Sequence, residues 1–209
     1  KSLIISVAAF TSLQAASADF GVNIQWDKTH SYHQPSQGEQ SKFEQMIESG
    51  EIKDVFVQES YGNIQSMNFV IEADNEQQVN DKINSLPMAQ NGTLEINGIE
   101  YLGDMWLNSS LSNQNYGLTF NWNQDIDSAE LNRVLGVDLQ RVVTLNQAGV
   151  VTSSYIKTQQ DNGTIKPVYL ISMLADSEEN ALQLSQQFEA VYQGYASVEV
   201  QYLGKKLTL

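Results

Sequence analysis

The stretch Phe20-Gly21-Val22-Asn23-Ile24-Gln25-Trp26 returns, class for class, as Tyr116-Gly117-Leu118-Thr119-Phe120-Asn121-Trp122, at an offset of 96 residues. Each copy alternates, with Phe20, Val22, Ile24 and Trp26 on one face and Asn23 and Gln25 on the other, the signature of a strand with one buried face. Further echoes follow in order. Gly50 and Gly149 are 99 apart, Ala73-Asp74 and Ala175-Asp176 are 102 apart, and Tyr101-Leu102-Gly103 and Tyr202-Leu203-Gly204 are 101 apart. A drift of a few residues is what a duplication leaves when loops change and elements do not.

Working outward, each copy predicts the same elements. In the first, Ser36 and Glu39 form a capping box before a helix whose inner stripe is Phe43, Met46 and Ile47, ended by Gly50. Strands over 55–58 and 67–72 flank a turn at Tyr61-Gly62-Asn63. Asp74 is placed to cap a second helix carrying Val79, Ile83 and Leu86 inward. Asn97-Gly98 between two β-rich runs predicts a tight hairpin joining 94–96 to 99–102. In the second copy, Asp127 and Glu130 mark a helix start before Leu131, Val134 and Leu135, and Asn162-Gly163 turns the central hairpin. Asp176 and Glu179 open one helix through Ala181, Leu184, Phe188 and Val191, before a last strand over 197–203. The order βαββαβ, twice, is the ferredoxin-like plan of an α+β fold: a four-stranded antiparallel sheet with both helices on one face. The bare face needs cover, and the second copy is its natural partner, giving a pseudo-dimeric barrel and a monomer by default. The expected boundaries are 1–18, 19–103, a linker rich in Asn and Ser over 104–115, and 116–209.

The start of the chain carries Lys1, the apolar run from Leu3 to Phe10, and Ala16-Ser17-Ala18. These are the parts of a secretory signal peptide, with cleavage expected after Ala18 and export to a periplasm or the medium. The sequence has no cysteine, so it offers neither disulfides nor a thiol nucleophile. With 25 acidic against 11 basic residues and a formal charge of −14, nucleic acid and anionic membrane are not expected as partners. Gly-rich phosphate loops, nucleophile elbows and Cys/His zinc spacings do not occur.

From Gly50 to Leu94 the sequence resembles the muconolactone isomerase-like members of the dimeric α+β-barrel superfamily. The resemblance rests on Ser49-Gly50 after the first helix, the strand over 54–59, Phe69-Val70-Ile71-Glu72-Ala73-Asp74 leading into a helix, and the turn Leu86-Pro87-Met88. It implies two ferredoxin-like units packed sheet to sheet. The superfamily spans cofactor-free isomerases and oxygenases, haem proteins and members without known activity, and no catalytic residue carries over. Fold alone does not set function.

If the apolar strand faces pack under helices, Asn23, Gln25, Thr119 and Asn121 point between the sheets, joined by Asn68, Glu72, Glu199 and Gln201. Buried polar groups need partners. Two readings stand: a wet or ligand-filled cavity, or side chains that bond one another or reach solvent. Asp27, His30 and His33 share the loop after the first strand, where they could serve as acid and base. No third or fourth metal ligand accompanies them, so no metal and no cofactor is assigned. Trp26 and Trp122 are expected in the core under the helices, and Trp106 in the linker. Three functions follow: a binding protein for a small, partly apolar ligand or a partner; a cofactor-independent isomerase or oxygenase using His30 or His33 with Asp27 or Glu72; and an interaction protein that pairs through strand edges.

Overall fold

The computed structural model describes residues 17–26, 37–90, 92, 94–109, 114–123, 125–161 and 164–207. Thus Asp27, His30, His33, the Ser36 cap, the Asn162-Gly163 turn and all of the signal segment except Ser17 and Ala18 lie outside the described residues.

The first unit runs β1 (Ala18–Trp26), α1 (Gln37–Glu48), β2 (Ile52–Ser60), β3 (Asn63–Ala73), α2 (Glu76–Asn84), α3 (Pro87–Gln90) and β4 (Leu94–Asn108). The second repeats it as β5 (Gln114–Trp122), α4 (Ser128–Gln147), β6 (Val151–Asp161), β7 (Thr164–Leu174), α5 (Glu178–Ser185), α6 (Glu189–Tyr192) and β8 (Ala196–Lys206). All eight strands close into one antiparallel barrel in the order β1-β3-β2-β8-β5-β7-β6-β4. The α+β plan of two ferredoxin-like units packed sheet to sheet is the observed architecture. Alternation places Phe20, Val22, Ile24 and Trp26 under α1–α3 and Leu118 and Phe120 under α4–α6, in two separate cores. A third cluster, Val70, Leu102, Tyr155, Val168 and Leu170, lies between the units.

Register confirms the duplication residue by residue. Asn23 pairs with Asn68 as Thr119 pairs with Leu170, and Phe56 with Asn68 as Tyr155 with Leu170. The repeated Tyr-Leu-Gly now has a physical reason. Tyr101 and Tyr202 lean on Phe20 and Tyr116 at ring-centroid distances of 5.6 and 5.2 Å. Leu102 and Leu203 lie over Gly21 and Gly117, where an added Cβ would stand 3.3 Å from a leucine methyl in each copy. Gly103 and Gly204 have φ of +82° and +99°, and a Cβ there would meet Ile156 O or Val57 O of the other unit at 2.1 Å. Only glycine lets the strand turn across and dock on the neighbouring sheet at that distance. The barrel closes at these two points, β4 on β6 and β2 on β8.

Four expectations are corrected. Asn97-Gly98 is no hairpin: β4 is continuous, and Asn97 is an extra residue bulged opposite the Asn23/Ile24 step of β1. Pairing along the whole of β1 holds the strand straight where an isolated Asn-Gly would turn it. Much of the expected linker is strand, because β4 continues to Asn108 to pair with β6, and this puts Trp106 on β4. The caps of α2 and α5 are Asn75 and Ser177, one residue beyond Asp74 and Asp176, while Asp127 does cap α4. The last helical stretch is two helices, with Phe188 in the break between α5 and α6, buried against Phe120.

That break has its own support. Asp138, fully buried on α4, accepts from the backbone N–H groups of Glu189 and Ala190 at the start of α6 and from the Tyr169 hydroxyl. The equivalent helix α3 opens with Pro87, which has no N–H to satisfy. Burial holds the Asp138 carboxyl above the usual aspartate range despite these donors, and raises the Tyr169 hydroxyl as well.

Candidate functional site

Between the two sheets lies a cavity of about 850 Å³. Its walls come from the inward positions of the strands, because the outward ones are spent on the helices. Asn23, Asn68, Thr119, Asn121, Glu199 and Gln201 all line it, as alternation anticipated. Glu72 and Gln25 do not. Glu72 sits near one barrel end beside Lys53, 2.9 Å away, and accepts from Ser17; these contacts hold it below the usual glutamate range. Gln25 is exposed and accepts from Asn97.

The two walls differ. On the first unit's side the amides interlock: Asn23 donates to Asn68 at 2.6 Å, Asn97 donates to Asn23 at 2.9 Å, and Asn68 donates to the Leu203 carbonyl at 3.2 Å. The bulged Asn97 extends this net and has no counterpart in the second unit, where Leu170 also stands in place of Asn68. There Thr119 faces Glu199 directly across β5 and β8, Gly117 faces Gln201, and Asn121 faces Ser197. Ser197 is taken by Asn123, whereas the side chains of Thr119, Asn121, Glu199 and Gln201 have no hydrogen-bond partner among the described residues. On the first wall, therefore, the polar side chains bond one another, and on the second they have no partner among the described residues.

The rest of the lining is apolar or neutralised. Val70, Leu102 and Leu170 give one side of the floor, with Trp122, half-buried, whose indole donates to the Pro167 carbonyl at 2.7 Å. Trp122 thus faces both the helix core and the cavity, while Trp26 is wholly in the helix core as expected. Lys157 is paired with Glu100 at 3.0 Å and donates to the Tyr101 carbonyl. Trp106 is exposed and does not line the cavity.

Sequence reasoning missed the group behind the floor. The Tyr155 ring lines the cavity, and its hydroxyl donates to Asp54 Oδ2 at 2.5 Å. Lys206 Nζ lies 2.8 Å from Asp54 Oδ1, donates to Asn108 and to the Thr152 carbonyl, and stands 5.7 Å over the Phe56 ring. Tyr155, Asp54 and Lys206 are 4%, 0% and 2% exposed. Burial and the adjoining carboxylate push the tyrosine hydroxyl well up; burial also pulls the lysine down, against the pull of Asp54. The available signal was weak: an aspartate just before the apolar run Val55-Phe56-Val57, and a lysine in the last strand.

No protein-family model matches the sequence, and no curated protein sequence matches it. Solved structures do. A variant of chlorite dismutase from Candidatus Nitrospira defluvii superposes with a TM-score of 0.53 at 10% identity, covering 92% of each chain. The chain has the chlorite dismutase fold. A second variant of that chlorite dismutase gives 0.50 at 12% identity over 93% of each chain. A candidate monooxygenase from Lactobacillus acidophilus gives 0.46 at 10% identity, over 92% of this chain and 97% of that one. Chlorite dismutase thus shares the tandem barrel, and at such identity the likeness extends to the fold alone. Haem iron is held by an axial histidine, thiolate, methionine or tyrosinate. Among the described cavity residues Tyr155 is the one side chain of those types, and its hydroxyl is committed to Asp54 and kept protonated by burial. The described lining does not fit a haem.

Proposed function

We propose that the chain is an exported, non-catalytic binding protein that holds a small, partly apolar ligand between its two ferredoxin-like units. One observation carries the reading: a cavity of about 850 Å³ whose second-unit wall presents Thr119, Asn121, Glu199 and Gln201 without partners among the described residues, above an apolar floor. Apolar lining with a few convergent polar groups is the usual make-up of a ligand pocket. The enzyme alternative loses Glu72, which lies beyond the cavity's end beside Lys53, and its histidines lie outside the described residues.

The test is native mass spectrometry of protein purified from its own host, compared with the same sample denatured. A reproducible extra mass, lost on denaturation and reduced in a Thr119→Phe variant that puts a ring against the second-unit wall, is the expected result. A clean mass in both states, together with no binding of a neutral apolar fluorophore such as dansylamide, would overturn the proposal.

A further inference from the structure

We infer that the ligand carries a cationic amine, received by Glu199 on the second unit's wall. This rests on the binding reading and narrows it.

Among the described residues, three charged side chains line the cavity: Glu100, Lys157 and Glu199. Lys157 and Glu100 neutralise each other at 3.0 Å, and Lys157 spends a further donor on the Tyr101 carbonyl. The other nearby charges, Asp54 and Lys206, are paired behind Tyr155 and do not reach the lining. Glu199, itself open to solvent, is therefore the one unpaired charge on the cavity lining among the described residues.

Its setting follows from the divergence of the two copies. The equivalent position in the first unit is Gly98, which has no side chain, so the carboxylate stands on one wall only. Thr119 lies directly across the strand pair, and Asn121 and Gln201 lie one inward position to either side. A carboxylate only accepts, while a hydroxyl and two amides both accept and donate. The strip therefore offers more acceptors than donors, and an ammonium group, with three donors and no acceptor, complements it. An amphiphile with an amine at one end would set its apolar part on Val70, Leu102 and Leu170. A carboxylate or phosphate in the same place would meet Glu199 as a like charge. The formal charge of −14 adds a field that concentrates cations near the protein.

The experiment titrates three probes sharing one fluorophore: dansylcadaverine (cationic), dansylamide (neutral) and dansylglycine (anionic), at physiological ionic strength. The wild type should bind dansylcadaverine at least about fivefold more tightly than dansylamide, as expected for a charge-assisted hydrogen bond in a half-open site. Glu199→Gln should erase that preference and leave the dansylamide Kd unchanged. Glu95→Gln, an equal change of net charge outside the cavity lining, should preserve it. Equal affinity for the cationic and neutral probes in the wild type, or equal loss in both variants, overturns the inference. If dansylamide still binds and Thr119→Phe blocks it, the binding reading survives that failure. If no probe binds the wild type, both fall.

Discussion

The buried group of Asp54, Tyr155 and Lys206 ties the two units together, and removing its cation is the sharpest test of that view. In Lys206→Met the Asp54 carboxylate, fully buried, keeps the Tyr155 hydroxyl at 2.5 Å and loses its counter-charge at 2.8 Å. The Asn108 side chain and the Thr152 carbonyl lose a donor too. Breaking a buried pair by removing one partner costs about 3–5 kcal/mol, because the remaining charge stays desolvated. For a chain of this size that lowers Tm by about 6–20 °C. Thermal and urea unfolding followed by circular dichroism measure it. The triple variant Asp54→Leu, Tyr155→Phe, Lys206→Met removes charge and hydroxyl together and should recover most of the loss, since apolar replacement of a whole buried pair is near neutral. A cost below about 1 kcal/mol for Lys206→Met, or a triple variant no more stable than the single one, would refute the reasoning.

At the barrel closures, Gly103→Ala and Gly204→Ala each force a Cβ against a carbonyl 2.1 Å away and should cost more than about 3 kcal/mol. Gly50→Ala, also at positive φ but with open space around it, should cost about 1 kcal/mol by the same unfolding assay. Asp138→Asn puts an amide N–H where three donors converge and should cost about 1–3 kcal/mol. Because burial raises the Asp138 pKa, its protonation contributes stability that is full below the unfolded value near 3.8 and is lost as pH rises through the folded value. The deficit of Asp138→Asn against the wild type should therefore shrink from pH 3 toward neutrality; a deficit that grows would contradict it.

What could be read beforehand followed the physics of periodicity. Alternation in the two matching stretches placed Asn23, Asn68, Thr119, Asn121, Glu199 and Gln201 inward, because a strand's faces are fixed by a period of two once one face is packed. Glu72 obeyed the same rule but lies beyond the cavity's end, where distance along the barrel matters and alternation is silent. Asn97-Gly98 has strong local turn chemistry, yet β1 offers a full ladder of partners and wins. The sequence held a clue to this. The offset falls from 102 at Ala73 to 101 at Tyr101, so the first copy has one residue more in between, and that residue is the bulged Asn97. The Asp54–Tyr155–Lys206 contact joins residues 101 and more positions apart, and no local pattern encodes it.

The duplication explains why such a group can exist. Register makes Asp54 equivalent to Ser153 and Phe56 equivalent to Tyr155. In a dimer of identical units each position occurs twice, so two aspartates would enter the same dry space without two tyrosines to meet them, or two tyrosines without an aspartate. Fusion lifts that constraint: one copy supplies the carboxylate, and the other supplies the hydroxyl and the lysine. The same freedom lets Asn97 lock the amides of one wall while Thr119, Asn121, Glu199 and Gln201 stay unpaired on the other. Thr119 and Asn121 are half-buried and Glu199 and Gln201 exposed, so water can meet their polar groups and they add nothing to folding stability. A barrel shaped by stability alone would have spread the interlocked amide net, or plain apolar residues such as Leu170, over both walls. One wall of interlocked amides thus faces one wall of unpaired side chains across the cavity, an asymmetry that two fused, diverged copies can reach and two identical ones cannot.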